Sequence, residues 1–277
     1  MIDRRALLQS AIALAAVSSA RASEARFSLS GTMEQGSLVV GHAEPGARLA
    51  VDGSDLRVSP SGFFAFGFEF DRVKPVNLVA RFEDGNSETR TLQPVVRHYD
   101  IQRINGLPEA LVTPPTDIQE RIAREHAVVA EARKRDTEST AFSEPFDWPT
   151  VGIVSGVFGS QRILNGEPKA PHFGVDIAGP EGTPIHAPAD AIVSISDEYY
   201  LEGGFTLLDH GHGVSTCYFH QSKRLASGGE RVARGQLIGL TGRTGRATGP
   251  HLHWGMNWFQ VRLDPSRSTA TPAPPRT

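Results

Sequence analysis

The chain has 277 residues, and its content of 39% hydrophobic and 21% charged residues is that of an ordinary globular protein, which excludes wholesale disorder. The formal net charge of -3 lacks the basic excess that nucleic-acid binding requires, so no nucleic-acid partner is expected. A single cysteine excludes a disulfide framework and a cysteine-rich metal site, whereas the ten histidines leave a histidine-based metal site open.

The first residues have the pattern of an export signal. Arg4 and Arg5 precede a short apolar run over 6–20, and the Ala-Arg-Ala sequence at 20–22 fits a cleavage site. The run is shorter than the ~20 apolar residues that a membrane crossing takes, so no membrane span is expected. The arginine pair fits a twin-arginine signal as well as an ordinary secretory one. The sequence thus predicts a signal peptide over 1–22 and a periplasmic or extracellular location.

Residues 23–98 consist of short strand-like runs separated by turn residues. Hairpin-turn patterns occur at 51–53 (Val-Asp-Gly) and at 83–86 (Glu-Asp-Gly-Asn). Short strands at this spacing predict a small β-sandwich. The stretch 45–63 resembles bacterial immunoglobulin-like modules, and this resemblance implies either a positioning module or a spacer without chemistry of its own.

The remainder of the chain divides into a linker, a second domain and a tail. Residues 99–146 are predicted to be a linker with a helix over 116–135, which Thr116 or Asp117 can cap and which has a thin apolar stripe. Residues 147–266 return to strands and glycine turns and form the second domain. The tail over 267–277 is rich in Ser, Thr and Pro and is predicted to be disordered.

The second domain begins its histidine pattern with His172-x-x-x-Asp176. Because side chains alternate along a strand, positions i and i+4 share one face. An imidazole and a carboxylate on one face form half of a site for a divalent metal. A structural hydrogen bond between the two side chains would produce the same pattern, so the pair alone leaves both interpretations open.

Two further strands offer histidines on a polar face. His251 and His253 are two positions apart with Leu252 turned inward, and His220 is expected to share its face with Tyr218. A catalytic zinc takes three protein ligands and leaves one position for water. Either His251 or His253 can be the third ligand, in addition to His172 and Asp176. The candidate set for ligands and neighbouring proton-transfer groups is His172, Asp176, His220, His251 and His253.

Other reactive side chains receive plainer interpretations. Cys217 lies three residues before His220, and strand alternation predicts that it is a small buried side chain on the opposite face. Arg162, Arg243 and Arg246 are candidates for pairing with the carboxylates of a peptide, since a guanidinium binds a carboxylate through two parallel hydrogen bonds.

Six patterns of the second domain follow one another in a characteristic order. They are His172-x-x-x-Asp176, Gly-Thr-Pro at 182–184, His-Gly-x-Gly at 210–213, Tyr-Phe-His at 218–220, Gly-Gln-x-Ile-Gly at 235–239 and Thr-Gly-Pro-His-Leu-His at 248–253. Together they resemble the lysostaphin-like, LytM-type zinc endopeptidases, which cut the peptide part of bacterial peptidoglycan. The N-terminal half lies outside this resemblance.

The resemblance implies a mainly β protein whose C-terminal domain is an antiparallel β-sheet peptidase of the LytM type. It implies that His172, Asp176 and His253 bind Zn2+ and that His220 and His251 are the catalytic pair. One of this pair would take a proton from water and the other would stabilise the oxyanion, in an order that the spacing leaves open. The implied partner is the peptide stem of peptidoglycan, and both direct cross-links and glycine bridges fit the pattern.

Two alternatives remain open at this point. A non-catalytic cell-wall-binding protein could activate another wall hydrolase or serve as its scaffold, although the complete set of five residues favours a working hydrolase. An enzyme of the same family could also be regulated within the molecule by its N-terminal domain, because the linker from Thr113 to Pro145 is long enough to bring that domain over the groove.

Overall fold

The computed structural model describes residues 25–276, so the predicted signal peptide over 1–22 lies outside the described residues. The N-terminal part contains seven strands, which are β1 (Phe27–Ser30), β2 (Leu38–Ala43), β3 (Arg48–Val51), β4 (Ser54–Leu56), β5 (Phe63–Gly67), β6 (Val76–Arg81) and β7 (Ser87–Leu92). They form two antiparallel sheets, in the orders β1-β2-β5 and β4-β3-β6-β7. Their inner faces share a core that is rich in phenylalanine. This confirms the predicted β-rich N-terminal region, whereas its immunoglobulin-like type stays a prediction.

A mixed segment connects the two parts, and it is docked on the second domain. It contains β8 (Ile101–Ile104), α1 (Glu109–Val112), α2 (Thr116–Ala132) and a single 3-10 turn (Ala141–Ser143). Thr116 is the first helical residue of α2, and Pro115 stands at the cap position without a side-chain hydrogen bond, so the predicted cap is wrong. Val129 of α2 is buried against the second domain. Among residues 25–276, no helix has both the length and the apolar character that crossing a membrane takes.

The second domain is a set of antiparallel strands joined by glycine turns. Its strands are β9 (Ile153–Gly156), β10 (Gln161–Leu164), β11 (Glu167–Pro168), β12 (Val175–Ala178), β13 (Pro184–His186), β14 (Ala191–Tyr199), β15 (Gly203–Gly211), β16 (Val214–Gln221), β17 (Lys223–Arg224), β18 (Arg231–Val232), β19 (Leu237–Leu240), β20 (His251–Trp258) and β21 (Val261–Leu263). The main sheet has the order β18-β14-β15-β16-β20-β12-β9, with β21 paired to β20. Two small sheets, β13-β19-β17 and β11-β10-β8, flank it. The predicted mainly β fold is confirmed.

The two faces of the main sheet differ in what they contact. Leu252 and Trp254 of β20 point to an apolar core that also contains Leu38 and Ala65 of the N-terminal sandwich. The residues that alternate with them along β20 are histidines and face the other way. The N-terminal sandwich therefore packs on the face of the sheet that is opposite to the histidines.

The C-terminal tail, for which the composition predicts disorder over 267–277, follows a defined path over 267–276. Its backbone accepts hydrogen bonds at Ser268 from Phe146 and at Pro275 from Val154 of β9. Main-chain hydrogen bonds of this kind depend little on side-chain type, which is why a polar and proline-rich composition did not reveal them.

Phe142 is expected to be a main link between the two parts. Its side chain is 1% exposed in the shared core, and its 3-10 turn contacts β2, β5 and β15. We expect Phe142→Ala to lower the free energy of unfolding by about 3–5 kcal/mol, because it leaves a cavity where both parts meet. Denaturant unfolding measures the loss, and Val151→Ala at a 78% exposed position is the control. A loss below ~1 kcal/mol would contradict a shared core.

Candidate active site

Three side-chain donor atoms converge between β12, β20 and the loop before β12. Nε2 of His172, Oδ1 of Asp176 and Nδ1 of His253 lie 2.9 Å from one another in each of the three pairs. All three residues are buried, and their geometry is that of a group that could hold a metal ion. The structure thus brings together the three ligands that the family resemblance implies.

The register of two neighbouring strands sets two of these donors. Asp176 of β12 lies directly opposite His253 of β20, so both side chains leave the same face of the sheet. His172 is not on a strand, because β12 begins only at Val175, and the expectation that His172 and Asp176 share a strand face is wrong. A backbone hydrogen bond from His172 to the Ser160 carbonyl fixes the loop instead.

The chemistry of the donor set fits a divalent cation. Nδ1 of His172 lies 3.1 Å from the carbonyl oxygen of Val157, and since a carbonyl only accepts, this nitrogen is the donor. In the neutral ring Nε2 therefore carries a lone pair, which faces the Asp176 carboxylate at 2.9 Å. Two lone pairs at this distance repel each other unless a cation lies between them. A backbone acceptor on the far nitrogen is also the usual support of a metal-binding histidine.

Burial and mutual contact shift the pKa values of these groups. Burial alone would raise the pKa of Asp176, but the adjacent imidazoles of His172 and His253 hold it well below its usual range. Burial lowers the pKa of His253 to about 4, in spite of its hydrogen bond to Asp176. At neutral pH the site therefore presents a carboxylate and an unprotonated His253 imidazole, which are the forms that bind metal.

The two remaining histidines of the predicted set lie beside these donors. The ring centroids of His220 and His251 are 4.6 Å apart, and Nε2 of His251 lies 3.9 Å from Oδ1 of Asp176. Nδ1 of His220 donates to the Thr244 carbonyl at 2.8 Å, and Nδ1 of His251 donates to the Gly249 carbonyl at 2.8 Å. In both neutral rings Nε2 is thus left free to exchange a proton.

The position of His220 results from a bulge that the sequence did not reveal. Gly204 of β15 pairs with Gln221, but Thr206 pairs with Tyr218, so two residues of β16 stand opposite one residue of β15. His220 has a φ of 64°. This interrupts the alternation of side chains, and His220 turns to the metal-site face while Tyr218 stays in the core. The expectation that His220 and Tyr218 share a face is therefore wrong.

Cys217 lies on the metal-site face of the sheet, not on the face predicted for it. Cys217 and Phe219 are paired with Gly255 and His253 of β20, and Val129 of α2 covers this region. Burial raises the pKa of the Cys217 thiol, so it stays protonated. The prediction of a small buried side chain that does no chemistry agrees with this environment.

Two glycines make room for the candidate ligands, and neither is among the predicted site residues. A Cβ at Gly156 would lie 2.5 Å from Oδ2 of Asp176, and a Cβ at Gly174 would lie 2.5 Å from Nε2 of His253. Gly174 stands inside the pattern from His172 to Asp176. Its position between two candidate ligands was the signal in the sequence that could have revealed its role. Gly156 stands on a neighbouring strand, and only the sheet order connects it with the site.

The three arginines proposed for carboxylate binding have different environments. Arg162 donates from Nη2 to Oδ2 of Asp176 at 3.0 Å and so orients a ligand carboxylate. Arg246 lines the cleft beside His220, and Arg243 is exposed away from it. A cleft of about 290 Å³ opens over Asp176, His220 and His251, and residues of β8 and the turn after it form its far wall.

Comparison with known proteins agrees with this geometry. Residues 170–265 match the model of Peptidase family M23. This part of the chain is an M23 peptidase domain. It contains all five residues of the predicted site, and the resemblance inferred from the sequence patterns is confirmed.

The relatives of the M23 domain include named cell-wall enzymes. The chain is 46% identical over 85 residues to the peptidoglycan DD-endopeptidase ShyA of Vibrio cholerae. The matched stretch covers 31% of this chain and 20% of that protein. It is 43% identical over 103 residues to the peptidoglycan DD-endopeptidase ShyC of the same organism, and this matched stretch covers 36% of this chain and 24% of that protein. The chain thus spans about a fifth to a quarter of the length of these curated relatives.

The fold has a close match in a solved structure that extends beyond the M23 domain. An M23 peptidase chain from Pseudomonas aeruginosa superposes with a TM-score of 0.65 at 27% sequence identity. The match covers 85% of this chain and 94% of that chain. The N-terminal β region is therefore part of the shared fold.

Gly174 gives a test of the ligand geometry that changes no ligand. We expect Gly174→Ala to weaken metal binding by about 10–100-fold, because the new methyl group would displace the His253 ring. Chelator competition on the purified protein measures the affinity. Gly228→Ala is the matched control, since a Cβ there has no neighbouring atom within 4 Å. Equal affinities for the two variants would contradict the role of Gly174.

Proposed function

We propose that the protein is a zinc-dependent endopeptidase that hydrolyses the peptide cross-links of bacterial peptidoglycan. The observation that carries this proposal is the convergence of two nitrogens and one oxygen within 2.9 Å of one another, beside two histidines in one cleft. The names of the relatives, peptidoglycan DD-endopeptidases, support the substrate class.

The donor set supports zinc as the metal. We infer that His172, Asp176 and His253 are its protein ligands, since zinc accepts both imidazole nitrogen and carboxylate oxygen and leaves a fourth position open in catalytic sites. When bound, zinc supplies a Lewis acid that polarises a carbonyl group and makes water more acidic. Arg162 holds the second oxygen of Asp176 at 3.0 Å, which leaves Oδ1 directed at the two histidines.

The catalytic steps fall to His220 and His251. Each ring has its Nδ1 anchored on a backbone carbonyl, so Nε2 is the atom that can take or give a proton. We propose that Nε2 of one ring accepts a proton from the attacking water and returns it to the leaving amine. The other ring donates a hydrogen bond from Nε2 to the oxyanion that develops on the scissile carbonyl, and it does so in its doubly protonated form, because its Nδ1 proton is already bonded to a backbone carbonyl.

Burial supports the role of His220 in this pair. Burial lowers the pKa of His220 well below its usual range, and the nearby rings of His251 and His253 lower it further. His220 is therefore neutral at physiological pH and is able to act as a base.

We also propose that the protein is exported, with residues 1–22 as its signal peptide. A cell-wall substrate lies outside the cytoplasm, which agrees with the predicted signal. Intramolecular regulation by the N-terminal domain stays a prediction. The sandwich packs on the face of the sheet opposite to the histidines, and Phe70 after β5 contacts Phe173, the neighbour of His172, with 5.1 Å between the ring centroids.

Metal removal tests the cofactor. We expect the mature protein to contain one zinc per chain, and chelation to abolish its hydrolysis of cell-wall peptides until zinc is restored, because the ligands hold the Lewis acid. His172→Ala should remove both the metal and the activity. His98→Ala, at an exposed histidine outside the site, should keep both. Hydrolysis that persists after complete chelation would refute the metal-dependent mechanism.

Replacing a catalytic histidine separates an enzyme from a metal-bound activator. We expect His251→Ala and His220→Ala each to lower kcat by ~10²–10⁴-fold, since proton transfer in the transition state is lost. Zinc content should be unchanged, because neither residue is a proposed ligand. Defined cell-wall fragments analysed by mass give the rate and the bond that is cut. Full cell-wall function in both variants would support the activator or scaffold instead.

A further inference from the structure

A second cavity, of about 540 Å³, opens directly beside His172 and His253. Its walls come from α2, from the loop before β12, from β15 and β16 and from β21. Its lining includes one carboxylate, that of Glu202. We call it the arginine cavity, because five cationic side chains line it, namely Arg133, Arg162, Lys169, Arg246 and Arg262.

Arg133 is the most deeply buried of these cations. It follows the last residue of α2, is 6% exposed, and its Nε is buried without a hydrogen-bond partner. The neighbouring Cys217 does not neutralise it, since burial keeps the thiol protonated. Burial, together with the positive charge of Arg262, lowers the pKa of Arg133 to about 10. A charge in this position is costly unless an anion accompanies it.

In the described part of the chain, Arg262 and Arg246 also form no direct ion pair, although the negative charge of Glu202 acts on both from a greater distance. Within residues 25–276, no carboxylate oxygen lies within 4.0 Å of the guanidinium groups of Arg133, Arg246 or Arg262. Arg262 instead lies over the ring of Phe173, with 5.6 Å between its Cζ and the ring centroid. The single carboxylate of the cavity, Glu202, contacts His126 through Oε1 at 3.3 Å, and its one negative charge stands against five cations.

The chemistry of this cavity selects for an acidic ligand. Several guanidinium groups that share one buried space repel each other, and a ligand with carboxylates would relieve the repulsion while offering oxygen pairs that match the guanidinium fork. The volume suits a few residues of a peptide. Because His172 and His253 line both the cavity and the metal site, a ligand held here is adjacent to the reacting bond.

We propose that the arginine cavity binds a carboxylate-bearing segment of the peptide substrate, and that Arg133 and Arg262 are the residues that recognise its carboxylates. The proposal deepens the proposed function and rests on it for the identity of the ligand as substrate. Arg133 belongs to the connecting segment, outside residues 170–265. The segment that precedes the M23 domain would thus determine which peptides the site accepts.

Equilibrium binding to a non-hydrolysing form tests the proposal. The probe is the peptide N-acetyl-Ala-γ-Glu-Ala-Ala with two free carboxylates, compared with the same peptide after both carboxylates are amidated. The protein is the full mature chain with His251→Ala and zinc bound, measured by calorimetry. We expect the free acid to bind at least ~10-fold more tightly than the amide, as charge-assisted hydrogen bonds are worth that much.

Variants then locate the source of this preference. Arg133→Gln and Arg262→Gln should each reduce the preference for the free acid by at least ~5-fold and leave binding of the amide unchanged. Arg133→Lys and Arg262→Lys keep the charge and should lose less, which guards against a variant that fails to fold. Arg124→Gln is the matched control, because this arginine is 70% exposed on the same helix.

Two results would overturn the proposal. If the protein with all cavity arginines intact binds the free acid and the amide equally, the cavity does not recognise carboxylates. A preference that persists in both glutamine variants would place the carboxylate on the metal or elsewhere. The proposed function has its own test in the protein with His251 intact, and it fails if that protein contains no zinc or does not hydrolyse cell-wall peptides. Neither of those results would change the preference of the cavity for the free acid.

Discussion

The antiparallel pairing of β12 with β20 is the constraint on which the site depends. It sets Asp176 directly opposite His253, and a shift by one residue would send one of these side chains into the apolar core. The alternating residues Ile177, Leu252 and Trp254 hold this register, since each is at most 1% exposed. The hydrophobic face of the sheet therefore fixes the geometry of its polar face.

The other half of the site departs from regular strand geometry. His220 reaches the site only because β16 carries an extra residue and a left-handed backbone at that position. Such a conformation costs free energy in a residue with a Cβ, and it is typical of functional sites that the surrounding structure supports. The carbonyl of Glu202 accepts the backbone hydrogen bond of His220, and Thr244 accepts that of its ring.

Sequence alone predicted much of this molecule, and the exceptions have physical causes. Apolar residues at every second position, together with glycine turns, were enough to predict the mainly β fold. The six patterns that follow one another in the second domain were enough to predict the peptidase family. Strand alternation misplaced His220 and Cys217, because a bulge leaves no local signal in the residues that form it. The roles of Gly156 and Arg162 depend on which strands become neighbours, and the docking of the connecting segment depends on contacts between residues far apart in the chain.

The path of the C-terminal tail has a consequence for the sheet as a whole. β9 is the last strand of the main sheet, and its outer side would otherwise present free backbone groups to any passing extended chain. Val154 of this strand instead donates to the carbonyl of Pro275, and a bridge joins it to Arg276. The tail thus serves as a cap on an open sheet edge, and a chain that stopped at 266 would leave that edge available for association with other molecules.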